Sequence, residues 1–144
     1  MTMRRALVER LGHFNEDLGP GTPIDGGEDT DYFYRAYLAN ATLEYVPDMT
    51  VFHHHGRKTS ADGKKLMIGY MIGTGAIYAR YLLKHPNFCR PFYWDCKNAL
   101  TEIITGTNTC LPDIGFSHRD KVVHCVRGAA RYFLMRKQDK PKSC

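Results

Sequence analysis

Three carboxylates stand within four residues, at Glu28, Asp29 and Asp31, directly after Gly26 and Gly27 and directly before the aromatic run Tyr32-Phe33-Tyr34. A second polar cluster, His53-His54-His55, follows later in the chain, with Arg57 and Lys58 just beyond it. Carboxylate and imidazole together suit a divalent cation, and glycines let backbone approach a ligand closely. Each cluster also has a plainer reading. Acidic residues favour the positive end of a helix dipole, so the first can be a capped helix with solvated acids. The second can be a set of surface or hydrogen-bonded histidines.

Those groups need elements to hold them. A tight glycine turn opening a helix from Glu28 to about Ala39 places the carboxylates at the helix mouth. Phe33, Tyr34, Tyr37 and Leu38 follow helical spacing and are expected to face a core, with Asp31 and Arg35 pairing on the exposed side. Asn40 is the expected stop. Upstream, Arg4 to Leu11 reads as a short helix closed by Gly12. Residues 13–23 then form a loop rich in Gly and Pro, costly to order unless something packs or binds there. Downstream, Leu43-Glu44-Tyr45-Val46 alternates as a half-buried strand ended by Pro47-Asp48, and Thr50-Val51-Phe52-His53 reads as a second strand beside it. Alternation along that strand would put His53 and His55 on one face.

The C-terminal part reads as helical. Ser60-Ala61-Asp62-Gly63 caps a long helix from about Lys64 to Lys84, apolar on most sides, which suits burial or a membrane interface. Gly69, Gly73 and Gly75 would each destabilise it by about 1 kcal/mol relative to Ala, a cost that makes sense where another backbone must come close. Phe92 to about Gly106 is expected to be a further helix carrying Trp94, the only tryptophan. After a loop over 107–116, His118 to Lys137 is a basic amphipathic helix. Val122, Val126, Ala129, Ala130 and Phe133 mark one face, and His124, Arg127 and Arg131 another. Such a helix can lie on an anionic bilayer, or its charged face can simply be solvated.

With 144 residues and 43% hydrophobic content, the chain can form one domain or part of one. A net charge of +5 favours anionic partners without choosing among them. The five cysteines include no CxxC pair, which argues against a disulfide framework or a standard zinc site and for a reduced, cytoplasmic setting. The N-terminus lacks the long apolar run of a signal peptide, and the uncharged stretch from Leu66 to Ala79 is too short to span a bilayer.

Three separated segments line up with one family. Met3 to Glu16, with Arg4-Arg5, Leu11-Gly12 and Phe14-Asn15-Glu16, resembles the "M-x-R-R-x-x-L-x-x-x-G-x-F-D-E" segment of family 2 glycosyltransferases, with Asn15 where the family usually has Asp. Gly27-Glu28-Asp29-Thr30-Asp31 through Arg35 resembles its "G-E-D-x-D-L-x-x-R" motif. Glu44-Tyr45-Val46-Pro47-Asp48 through His53 resembles "Y-x-P-D-A-V-V-x-H". The match covers about residues 3–58, in the family's order.

The resemblance implies an α/β fold: the acceptor-side portion of a GT-A domain over 1–60, mostly helical with a small two-stranded β element, followed by a helical extension over 61–144. It implies an inverting transfer from a nucleotide-sugar donor to a sugar or lipid-linked acceptor hydroxyl. Asp29 would be the general base, which requires only a positioned carboxylate within hydrogen-bond reach of the nucleophile. Glu28 would hold the acceptor or orient Asp29, with Gly27 and Asp31 also on the acceptor side. His53 would stand at a divalent cation, Mg or Mn, beside the donor diphosphate, with Arg57 and Lys58 on the phosphates. The family's nucleotide-binding βαβ half, with its Asp-x-Asp motif, has no counterpart here, so the chain alone is expected to be inactive.

Two other classes compete. One is a non-catalytic binding or scaffold module in which Asp29 and His53 tolerate change. The other is a membrane-surface protein resting on the 66–83 and 118–137 helices, which leaves the inner face of the membrane open as an address. The basic residues are dispersed and match no nucleic-acid-binding motif, so nucleic acid is not an expected partner.

Overall fold

A computed structural model describes residues 2–48, 50–52, 56 and 59–138. Among the described residues five α-helices form: α1 (Arg5–Leu11), α2 (Glu28–Leu38), α3 (Ser60–Tyr81), α4 (Arg90–Thr105) and α5 (His118–Gln138). Short 3-10 turns at Pro86–Cys89 and Pro112–Ile114 join the last three. Among the described residues there is no β-strand, only isolated bridges at Leu18–Ile24 and Leu111–Phe116.

The expected α/β architecture with its two-stranded element is therefore corrected: the described part of the chain is all-helical. Among the described residues, the alternating pattern of 43–46 and 50–52 found no sheet to join. Leu43, Tyr45, Val51 and Phe52 are exposed, Tyr45 to 89% and Phe52 to 86%. Period-2 alternation yields a strand only where a neighbour completes the ladder and a core takes one face, and a lone hairpin is marginal in water. His53, the last residue of that expected strand, lies outside the described residues.

α3 is the axis. Its N-cap is Thr59, whose hydroxyl accepts from Asp62 N–H at 3.1 Å while the Asp62 carboxylate accepts from Thr59 N–H at 3.2 Å. This reciprocal capping starts the helix four residues ahead of the expected Lys64. Ile72, Ala76, Ile77 and Tyr81 of α3 form the core with Leu18 and Ile24, so one cluster draws on both 1–60 and 61–144. Burial of Leu18 and Ile24 is also what orders the Gly- and Pro-rich loop. The Thr22 hydroxyl lies within 2.8–3.0 Å of the carbonyls of Asp17, Gly19 and Ile24 and tightens the same loop from inside.

α5 packs along α3 in the most extensive contact of the fold, and α4 packs on α5. The α4–α5 hairpin is pinned by polar groups. Asp95 Oδ1 lies 2.8 Å from His118 Nδ1 and 3.2 Å from Lys121 Nζ. The buried Glu102 accepts from the N–H groups of Thr109 and His118, each at 2.8 Å. Burial opposes ionisation of Glu102, but these hydrogen bonds outweigh it and hold the carboxyl below its usual range.

His124 of α5 behaves in the opposite sense. Burial pushes its imidazole below the ordinary histidine value, with Arg127 and Lys64 adding to that and Asp120 opposing it. Its Nδ1 is buried without a hydrogen-bond partner. The unfolded chain thus takes up this proton before the folded one, so stability is expected to fall as pH drops below about 6.5. Urea midpoints measured between pH 7.5 and 5 should decline, and the decline should flatten in His124→Gln. An unchanged slope in that variant would show that the imidazole is not responsible.

Candidate functional site

The Gly26–Gly27 turn works as expected, and α3 explains how. Gly26 and Gly27 sit at φ 123° and 95°, the left-handed region that favours glycine. Their backbone rests directly on the glycines of α3. A Cβ on Gly73 would lie 2.5 Å from the Gly26 carbonyl, and one on Gly69 would lie 3.0 Å from Asp25 O. Gly27 is the N-cap of α2, so Glu28 and Asp29 open the helix at the positive end of its dipole.

These residues line an open hollow of about 870 Å³ between the start of α2 and the first half of α3. Asp25, Gly27, Glu28 and Asp29 line it from the turn side, and Lys65, Gly69, Tyr70 and Thr74 from α3, with Asp62 at the helix start. The volume falls within the range of small-ligand clefts. Asp29 is exposed, whereas Glu28 is half-buried with its carboxyl against Gly19. Among the described lining residues, the carboxylates of Asp25, Glu28 and Asp29 share the hollow with the ammonium of Lys65, and the Asp62 carboxylate is taken up in the cap of α3. Such a wall repels phosphate and suits an uncharged ligand rich in hydroxyls. An exposed carboxylate there can accept a proton from a hydroxyl seated against it.

Asp31 takes a different path from its neighbours. It is not part of the hollow. One helical position beyond Thr30, its side chain is fully buried on the core side of α2. Its Oδ2 lies 3.0 Å from Arg35 Nε, and its Oδ1 accepts from the Tyr81 hydroxyl at 2.8 Å and lies 3.6 Å from Arg80 Nε. The Asp31–Arg35 pair expected on the exposed side thus forms, but inside, and both carboxylate oxygens are engaged by protein groups. In that setting Asp31 anchors the fold, where the sequence had suggested an acceptor contact. Tyr81 answers in its own chemistry: burial first, and the bond to Asp31 second, push its phenol up to about 12.

The structure therefore brings Gly27, Glu28 and Asp29 together at one opening and separates Asp31 from them. His53, Arg57 and Lys58 lie outside the described residues. Among the described residues no set of three His, Cys, Asp or Glu side chains converges as a metal site, so the described wall of the hollow does not by itself hold the divalent cation that the motifs imply. Asp25 and Lys65 belong to the opening but carried no signal beyond proximity to the glycine pair or to the start of α3. Burial raises the thiols of Cys89, Cys96 and Cys110 and pushes that of Cys125 up to about 12. No helix is long and apolar enough to cross a membrane among the described residues.

No protein-family model, no curated protein and no solved structure matches this chain.

Proposed function

We propose that this chain carries the acceptor side of an inverting glycosyltransferase, with Asp29 as the general base that takes the proton of an acceptor hydroxyl as it attacks the anomeric carbon. The observation that carries the reading is the placement of Asp29. It is an exposed carboxylate at a helix start, on the rim of a hollow whose described charged groups are mostly carboxylates. The three motif segments between residues 3 and 58 supply the family. Glu28, held against Gly19, lines the same hollow and orients the acceptor or Asp29. The acid-rich described wall fits a neutral glycan hydroxyl better than a diphosphate, so nucleotide-sugar donor and cation fall to other groups, with His53, Arg57 and Lys58 as this chain's contribution.

The test joins the chain to a nucleotide-binding GT-A half and measures sugar transfer from nucleotide-sugar donors. Asp29→Asn is expected to lower turnover by about two to four orders of magnitude, the usual contribution of a positioned base, with the helical circular dichroism signal unchanged because Asp29 is exposed. The unjoined chain is expected to give no turnover. Transfer that survives Asp29→Asn within threefold would remove Asp29 from the role. A folded fusion that transfers to none of a panel of glycan and lipid-linked acceptors would favour the scaffold class.

A further inference from the structure

We propose that the outer face of α4 is a docking surface for an anionic phospholipid bilayer. Of the 16 residues of α4, only Ala99 and Glu102 are buried. Its outer side carries Tyr93, Lys97, Leu100 and Ile104, spaced four, three and four apart and so aligned in one stripe, with Trp94 and Ile103 flanking it. These are large apolar groups left in water: Tyr93 and Ile103 are each 64% exposed, Leu100 58% and Ile104 75%. Such a stripe on the solvent side of a helix marks an interaction surface.

Charge identifies the occupant. The two acids of α4 point inward, Asp95 onto His118 and Lys121 and Glu102 onto backbone N–H groups. The exposed charges of α4 are Arg90 and Lys97. α5, packed beside it, exposes Arg119 and Arg127, while Arg131 donates to the Pro23 carbonyl and Arg136 lies against Tyr132. Neither helix has an exposed carboxylate among the described residues. A second copy would set Arg90 and Lys97 of α4 against their own kind, and a neutral partner would leave them uncompensated. An anionic lipid surface satisfies both the cations and the stripe.

The aromatic pair fits the same occupant. Trp94 and Tyr93 stand edge to face with centroids 5.7 Å apart, and Lys97 Nζ lies 5.1 Å from the Trp94 ring. An indole beside an ammonium suits headgroup depth, where one side of the ring is apolar and the other wet. This surface differs from the two helices that the sequence had pointed to. The middle of α3 is taken up by the core, and α5 lends charge from beside α4. The inference stands independently of Asp29.

Trp94 is the only tryptophan, so its fluorescence reads this face alone. The whole chain is titrated with vesicles of phosphatidylcholine, with and without 30 mol% phosphatidylserine, at low and at 0.5 M salt. Expected are a blue shift and co-sedimentation with the anionic vesicles only, weakened at least tenfold by salt. Leu100→Ser with Ile104→Ser should lower binding at least tenfold at unchanged helicity, and Lys97→Gln should lower it less. Failure to bind anionic vesicles, equal binding to neutral ones, or full binding by the serine variant would overturn the proposal. So would a dimer of the parent that the serine variant dissolves, since a second copy would then cover the stripe.

Discussion

Asp31→Ala is expected to lose about 3–5 kcal/mol of folding stability, the usual loss when one member of a buried ion pair is removed. A domain of this size has only about 5–15 kcal/mol in total, so the variant should be largely unfolded at 37 °C. The size of the effect follows from what the carboxylate touches. It is fully buried, and its removal leaves Arg35, Arg80 and the Tyr81 hydroxyl without their shared acceptor. Arg35 is a second link in the chain of consequence. While Asp31 holds its Nε, its Nη1 and Nη2 donate to the carbonyls of Leu11 and His13, each at 2.8 Å, and its guanidinium lies 4.7 Å from the Tyr32 ring centroid. One acid thus ties α2 to α3 directly and to the end of α1 through Arg35. Asp31→Asn keeps the shape and should lose less. Tyr81→Phe removes a single bond to a charged acceptor and should lose about 1.5–3 kcal/mol. Guanidinium denaturation followed by circular dichroism checks all three, and an Asp31→Ala loss under 1 kcal/mol would show that the clasp does not hold the fold.

The same residue marks where reading the chain reached its limit. Helix positions were legible because local chemistry sets them. Gly12 ends α1 at φ 75°, Asn40 follows α2 at φ 54°, and the start of α5 falls at His118 as its periodicity suggests. The carboxylates at the mouth of α2 were legible for the same reason. The inward face of α2 was not. Its apolar residues Phe33, Tyr37 and Leu38 pointed to a core on their side, yet they are exposed to 43%, 64% and 39%, and the buried set is Asp31, Tyr32 and Ala36. A pattern of hydrophobicity cannot predict an acid turned inward, because only Arg35 of its partners lies on the same helix, and Tyr81 and Arg80 come from a helix that only the fold brings near. The strands over 43–46 and 50–53 failed for a related reason. Alternation states what a strand would need, not whether a partner is present. Tyr34, the one of the four expected core residues of α2 that does turn in, stacks on Phe88 of the turn after α3 at 4.0 Å and meets Tyr81 of α3 edge-on at 4.6 Å.

The glycines of α3 were expected to mark close backbone approach, and they yield the second large effect. Gly128→Ala and Gly75→Ala are each expected to destabilise the protein by about 2–3 kcal/mol. A Cβ on Gly75 would overlap the Cys125 carbonyl, and one on Gly128 would overlap the Ile72 carbonyl. Those atoms are backbone, so relief requires the helices themselves to separate along the largest contact in the fold. Two effects oppose each other, since alanine also gains about 1 kcal/mol of helix propensity over glycine. Gly63→Ala isolates that gain. Its Cβ would meet Ile114 Cγ2 at 3.4 Å, ordinary contact, so this variant should be neutral or stabilised by up to about 1 kcal/mol. The double variant at 75 and 128 should lose less than the sum, because one separation relieves both overlaps. Gly73→Ala differs in kind. Its Cβ would press on Gly26 and Gly27 at 2.5–2.8 Å, away from α5, and so displace the turn that aims Asp29. In the fused enzyme it should therefore reduce transfer out of proportion to its loss of stability, whereas Gly75→Ala should reduce the two together.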